Sequence, residues 1–109
     1  MVGIELISRL IRHLLWYLLA GSRGGETRAR ILMVLKERPY NANQLTRILS
    51  LDYKTVKYHL NILLENKLII VEKKGEYGAV YILSDFMEEN FGEFQAIWER
   101  IRNEKKERL

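Results

Sequence analysis

The order of apolar repeats in the middle of this chain constrains its fold more than any other feature. Three segments, 26–38, 41–49 and 52–66, carry apolar residues three and four positions apart, as helices do. Two β-branched segments, 68–72 and 79–83, then flank a polar tip with two glycines, as the strands of a hairpin do. The pattern therefore predicts three helices followed by a β-hairpin.

Local signals support these boundaries. Pro39 follows the first of the three helices, at a place where a helix does not continue easily. Asn41 can cap the next helix and Gln44 can complete a capping box, while Asp52 can cap the helix after it. Only a tight turn at residues 50–52 separates these two helices, so they form a helix-turn-helix.

The first twenty residues are very apolar but do not predict a membrane span. A spanning helix needs about 20 nearly uncharged residues, whereas this segment contains Glu5, Arg9 and Arg12. Its apolar residues recur at helical spacing on more than one side, which is typical of a helix buried on two sides. The glycines from Gly21 to Gly25 then end the helix and form a linker.

The last segment, from Ser84 onward, repeats the excess of apolar side chains. Its stripe of aromatic and aliphatic residues at helical spacing predicts one more helix. Together the first and last helices carry more apolar surface than one small core covers, so we expect a homodimer. The expected interface residues are Ile7, Leu10, Ile11, Leu14, Leu15, Leu18, Phe94, Trp98 and Ile101.

Charge and composition narrow the function. The 109 residues carry a net charge of +4, and the stretch 23–74 holds 11 Lys and Arg against 5 Asp and Glu. This positive middle favours an acidic partner such as nucleic acid. The absence of cysteine excludes disulfides and thiolate metal sites and suits a reducing compartment. We find no nucleophile–base pair, phosphate loop or metal-ligand motif, so we expect no enzyme, catalytic residue, cofactor or metal.

One segment resembles a known family. Residues 55–63 read T-V-x-x-H-L-x-x-L, which is similar to the recognition helix of the ArsR-type family of prokaryotic winged-helix transcription regulators, in particular its archaeal-looking members. Residues 41–51 resemble the preceding helix and turn, and 68–83 resemble the wing. The resemblance implies a mainly α, winged helix-turn-helix fold with a small β-hairpin wing and extra terminal dimerisation helices.

On that basis the chain divides into three parts. Residues 1–22 and 85–109 are expected to be dimerisation helices, and 23–84 the DNA-binding domain. Within the helix 52–66, setting Val56, Leu60 and Leu63 inward points the opposite face outward. We call that opposite face, with its flanks, the recognition face; we expect it to lie in the major groove, and its residues are Tyr53, Lys54, Thr55, Lys57, Tyr58 and Asn61.

Particular residue types suit particular parts of DNA. Lysine bonds guanine and asparagine bonds adenine in the major groove. Lys73 and Lys74 at the hairpin tip are suited to phosphates, as basic wing residues are. Further candidates for backbone contacts are Arg28, Arg30, Lys36 and Arg47.

His59 lies at the edge of the buried arc of the same helix. We expect its ring to lie partly buried between helix and wing, with one nitrogen bonded to a backbone group. A ligand role or a pH-sensitive switch is the alternative, because the unperturbed pKa of histidine is near neutrality.

The sequence thus predicts a cytoplasmic, sequence-specific regulator of transcription that binds double-stranded DNA. It is expected to act as a repressor, as a homodimer on an inverted-repeat operator. Two alternatives stay open: a winged-helix module that binds protein, and a membrane-tethered regulator that uses the first helix.

Overall fold

Six helices and three short strands make up the described part of the chain. The computed structural model describes residues 2–21, 23–73, 75 and 78–107. The elements, in chain order, are α1 (Val2–Leu19), α2 (Gly25–Glu37), β1 (Tyr40–Asn41), α3 (Ala42–Leu49), α4 (Tyr53–Glu65), β2 (Ile69–Lys73), β3 (Ala79–Leu83), α5 (Asp85–Glu89) and α6 (Phe91–Glu107). The mainly α fold with a small hairpin wing is therefore confirmed.

The three strands form one antiparallel sheet in the order β1-β3-β2. The hairpin pairs Ile69 with Leu83 and Lys73 with Ala79. The strand β1 was not predicted; it follows Pro39 and pairs Tyr40 with Tyr81. A strand of two residues is too short to show the alternation by which a sequence reveals strands.

The core confirms the helical phase of α4. Val56, Leu60 and Leu63 are fully buried, and they pack in one cluster with residues of every other long helix. Leu15 of α1, Leu32 of α2, Leu45 of α3 and Phe94 of α6 are likewise fully buried, so a single apolar core joins the two terminal helices to the middle of the chain.

This packing corrects the predicted dimer interface. Because α1 packs against α2 and α6 of its own chain, six of the nine predicted interface residues are buried inside the monomer: Ile11, Leu15, Leu18, Phe94, Trp98 and Ile101. Ile7 and Leu10 stay exposed, and Leu14 is half-buried. Four apolar residues of α1 are more than half exposed, at 51 to 62%: Leu6, Ile7, Leu10 and Tyr17; we call them the outer stripe.

The last helical segment is broken, although the sequence predicted one continuous helix. Asn90 ends α5 with both its backbone N–H and its side-chain amide donating to the carbonyl of Phe86, at 3.2 and 2.8 Å. The backbone of Asn90 itself departs from helical geometry (φ −113°, ψ 17°), so the axis of α5 does not continue. The new helix α6 then begins at Phe91.

Across the residues that the structure describes, no helix is both long enough and apolar enough to cross a membrane.

The burial of α4 generates a test of stability. We expect Leu60→Ala to lower the free energy of unfolding by about 2–5 kcal/mol, because it opens a cavity in the core. The matched change Lys54→Ala on the exposed side of the same helix should alter it by less than about 0.5 kcal/mol. Urea unfolding followed by circular dichroism measures both, and equal losses in the two variants would contradict the helical phase.

Candidate nucleic-acid interface

The helix-turn-helix is fixed by caps at both of its helix starts. Asn41 Oδ1 accepts from the Gln44 N–H at 2.7 Å, and Gln44 Oε1 accepts from the Asn41 N–H at 2.8 Å. This capping box, which the sequence predicted, satisfies two N–H groups at the start of α3. Ser50 then adopts a left-handed conformation (φ 56°) that ends α3 and turns the chain toward α4.

Asp52 caps α4 as predicted. Its carboxylate accepts from the Thr55 N–H at 3.2 Å and from the Thr55 hydroxyl at 2.5 Å. The Thr55 side-chain and backbone hydrogen bonds lower the pKa of Asp52 below its ordinary value. Thr55 thus belongs to the cap of α4, and its half-buried hydroxyl is already used as a donor.

Four residues of the recognition face project from α4 into solvent. Tyr53 is 52% exposed and Tyr58 is 61% exposed, and Lys54 and Asn61 lie on the same exposed side. Large aromatic side chains gain free energy by burial. An exposed face that presents two tyrosines, a lysine and an amide therefore offers donors, acceptors and apolar area for a partner.

Lys57 connects the recognition helix to the wing. Its Nζ donates to the Tyr81 hydroxyl of β3 at 2.9 Å. That hydrogen bond, to a tyrosine buried at 3% exposure, raises the pKa of Lys57 above its ordinary value and keeps it charged. An ammonium group has three donors, so Lys57 can hold the wing against α4 and still present N–H groups to a phosphate.

The wing contributes one described lysine. Lys73 is exposed at the end of β2, opposite Ala79. Lys74, which the sequence also predicted to contact DNA, lies outside the described residues.

The four predicted backbone contacts have different surroundings. Arg47 is exposed on α3. Arg30 is half-buried and donates to the Leu49 carbonyl at 3.3 Å, and Lys36 pairs with Glu88 of α5 at 2.6 Å. For Arg28 the structure corrects the prediction: the side chain is only 2% exposed and so cannot reach a phosphate.

Arg28 instead joins three segments inside the fold. Its Nε donates to the Leu18 carbonyl near the end of α1 at 2.9 Å, and its Nη2 donates to the Arg23 carbonyl of the linker at 2.9 Å. Its Nη1 lies 3.1 Å from His59 Nδ1 on α4. Burial lowers the pKa of Arg28, against which Tyr58 and Tyr17 act to raise it.

His59 is buried as expected, but against different partners. The ring is 6% exposed and lies close to the α1–α2 linker: a Cβ atom placed on Gly24 would lie 2.2 Å from His59 Cε1. A guanidinium only donates, so Nδ1 must accept and the ring proton lies on Nε2. The sequence missed this pair because its members are 31 positions apart and arginine is seldom buried.

The comparisons with known proteins agree with this geometry. A probable transcriptional regulator from Pseudomonas aeruginosa superposes with a TM-score of 0.70 at 22% identity, over all of this chain and 85% of that chain. A MarR-like transcriptional regulator from Thermotoga maritima gives 0.58 at 16% identity, over 99% and 80%. The adhesin competence repressor from Streptococcus pyogenes gives 0.57 at 17%, over 95% and 75%. No curated protein sequence matches the chain significantly.

These structures share the winged helix-turn-helix fold of this chain. Residues 25–71 match the profile of the family described as bacterial regulatory protein, arsR family. The match runs from the start of α2 into β2, so the resemblance predicted from the sequence is confirmed, and it supports a DNA-binding transcription regulator.

Different residues of the interface should affect DNA binding differently. We expect Lys73→Ala to weaken binding to all duplexes about equally, because a lysine on a phosphate contributes without reading sequence. Asn61→Ala should change the preference among duplexes, with a discrimination loss of about 1–3 kcal/mol at one base pair if it contacts an adenine. Titration of each variant against a panel of single-base-pair changes measures both effects. A uniform loss in the Asn61 variant would contradict a base contact.

Proposed function

We propose that the chain is a cytoplasmic repressor that binds an inverted-repeat operator as a homodimer through the recognition face. The observation that carries the proposal is the exposure of that face, with Tyr58 at 61%, on a helix whose other side is fully buried. Its neighbours supply positive charge from Lys54 on the helix and Lys73 on the wing. Such a face has the size and chemistry of an α-helix that lies in the major groove.

The outer stripe of α1 supports the homodimer. Leu6, Ile7, Leu10 and Tyr17 are each more than half exposed, and they lie on the side of α1 opposite to its contacts with the core. A contiguous apolar strip of this kind on a helix is typical of an interface. Two α1 helices that pair about a two-fold axis would cover both stripes.

The two-fold axis also determines the form of the operator. It would place the two copies of α4 on one face of the dimer, where they can enter successive major grooves about 34 Å apart. The operator is then an inverted repeat. In this arrangement residues 23–84 bind DNA, whereas 1–22 and 85–109 support the dimer, the first of them through the outer stripe.

Repression is proposed by analogy. The proposed site offers contacts to DNA, and a dimer bound across a promoter blocks polymerase by occupancy alone. One structural neighbour, the Streptococcus pyogenes adhesin competence repressor, is named for repression, and the same outcome is proposed here by analogy of fold.

The salt dependence of binding tests the electrostatic part of the proposal. Raising salt from about 50 to about 200 mM should weaken binding to a duplex by roughly 10³-fold or more if about six phosphates are neutralised per dimer. Fluorescence anisotropy with a labelled duplex measures the slope. An affinity for DNA that does not change with salt concentration, or no affinity for DNA, would favour the alternative function, a winged-helix module that binds protein.

The outer stripe gives a test of the dimer. We expect the double change Ile7→Glu and Leu10→Glu to yield a folded monomer, because four carboxylates would face one another across the two-fold axis. Ile70→Glu on β2 is the matched control, since Ile70 is also exposed, at 42%, and lies outside α1.

Sedimentation equilibrium at micromolar concentration distinguishes the two states. The unmodified chain and the Ile70 variant should sediment as dimers, and the double variant as a monomer with much weaker DNA binding. A monomeric unmodified chain would contradict the proposed assembly and would make the tethered alternative the next one to test.

A further inference from the structure

The contact between Arg28 and His59 joins the two helices on which the proposed function depends. Arg28 bonds the Leu18 carbonyl near the end of α1 and contacts His59 on α4, at 2.9 and 3.1 Å. The helix α1 carries the outer stripe, and α4 carries the recognition face. A break in this contact would therefore remove a polar link between α4 and α1, which otherwise meet only through the apolar core.

The ring of His59 is closely confined. Gly24 has a left-handed backbone (φ 83°), and an added Cβ there would overlap the ring at 2.2 Å from Cε1. The Tyr58 ring packs edge-on against His59, with 5.1 Å between the ring centres. Because the ring is 6% exposed and held on several sides, it can adapt to a change of charge only if the surrounding segments move.

A second proton on His59 is incompatible with the contact. Protonation would place an N–H at Nδ1, facing the Arg28 N–H at 3.1 Å, and would bring two positive charges together. Among the described residues, the ionisable groups that act most on the pair are Arg28 itself for His59, and Tyr58 of α4 and Tyr17 of α1 for Arg28. The two phenols are weak dipoles and do not neutralise a second cation.

We propose that protonation of His59 releases the recognition helix from Arg28 and so weakens DNA binding as the pH falls below neutrality. The proposal rests on the proposed function, because it requires the chain to bind DNA through the recognition face.

The direction of the effect follows from proton linkage. Burial, and then the Arg28 charge, hold the pKa of His59 below its ordinary value of 6.5. With the contact open, the ring titrates near that ordinary value. At a pH above this ordinary pKa, His59 is neutral both in the closed form, which makes the Arg28 contact, and in the open form, which does not. The contact then has its full strength. Below this pKa the open form binds more protons, so each pH unit shifts the balance toward the open form by up to about tenfold per subunit, until the pKa of the closed form is reached.

Simple electrostatics predicts the opposite result. A protein that gains positive charge binds the phosphate backbone more tightly. A loss of affinity on acidification therefore distinguishes release of α4 from an added charge.

The chain contains two histidines, and the second provides a matched control. His13 is exposed on α1, and His13→Asn should leave the pH profile unchanged. His59→Asn keeps an acceptor at the position of Nδ1 and does not titrate, so its profile should be flat or rise slightly in affinity on acidification.

The probe is a duplex that the full chain selects at about pH 8 from a library of about 30 random base pairs, long enough for two half-sites. We expect the dissociation constant of the unmodified chain, at constant ionic strength, to rise between about pH 7.5 and about pH 5.5, by up to about tenfold per subunit. Circular dichroism at each pH verifies that the protein stays folded.

Each result decides one point. Failure to select any duplex at pH 8 contradicts the proposed function itself. A duplex that binds at pH 8 and binds as tightly at pH 5.5 overturns only the His59 inference. The inference is also overturned if the His59 variant keeps the pH dependence of binding, or if the His13 variant loses it. A loss of affinity that coincides with a loss of helical signal also overturns it. If the His59 variant fails to fold, the profile of the unmodified chain decides alone.

Discussion

The buried guanidinium of Arg28 is the interaction on which the arrangement of this protein depends. A charge taken out of water is costly unless hydrogen bonds replace its hydration. Arg28 obtains them from three segments: the Leu18 carbonyl of α1, the Arg23 carbonyl of the linker and His59 of α4. Because each partner comes from a different segment, moving any of them leaves a buried donor unsatisfied, and the cost resists that movement.

The positions of α1 and of the wing depend on further close contacts around this site. Gly25 allows the start of α2 to approach α1 so closely that a Cβ there would lie 1.9 Å from the Leu19 carbonyl. With α1 held in this way, its inner side packs into the core and its outer stripe stays exposed. On α4 the Lys57–Tyr81 hydrogen bond fixes the wing beside the recognition face. The same core thus presents two surfaces, one apolar and one polar.

Much of the fold could be predicted from the sequence because it depends on interactions between residues that are close in the chain. The phase of α4, its Asp52 cap and the Asn41–Gln44 capping box depend on residues within a turn or two of one another, and all three were correct. The features that the sequence did not predict correctly depend mostly on packing between residues far apart in the chain. The burial of Arg28, the partners of His59 and the burial of Trp98 against the chain's own core are tertiary facts, and the two-residue β1 and the break at Asn90 are too short to give a periodic signal.

Hydroxyl-radical footprinting on a selected duplex tests most directly whether the recognition faces of two subunits read DNA together. A dimer that reads DNA with both recognition faces should protect two segments on one face of the duplex, centred about 10 base pairs apart and related by inverted sequence. A single protected segment, or two related by direct repetition, would contradict this arrangement.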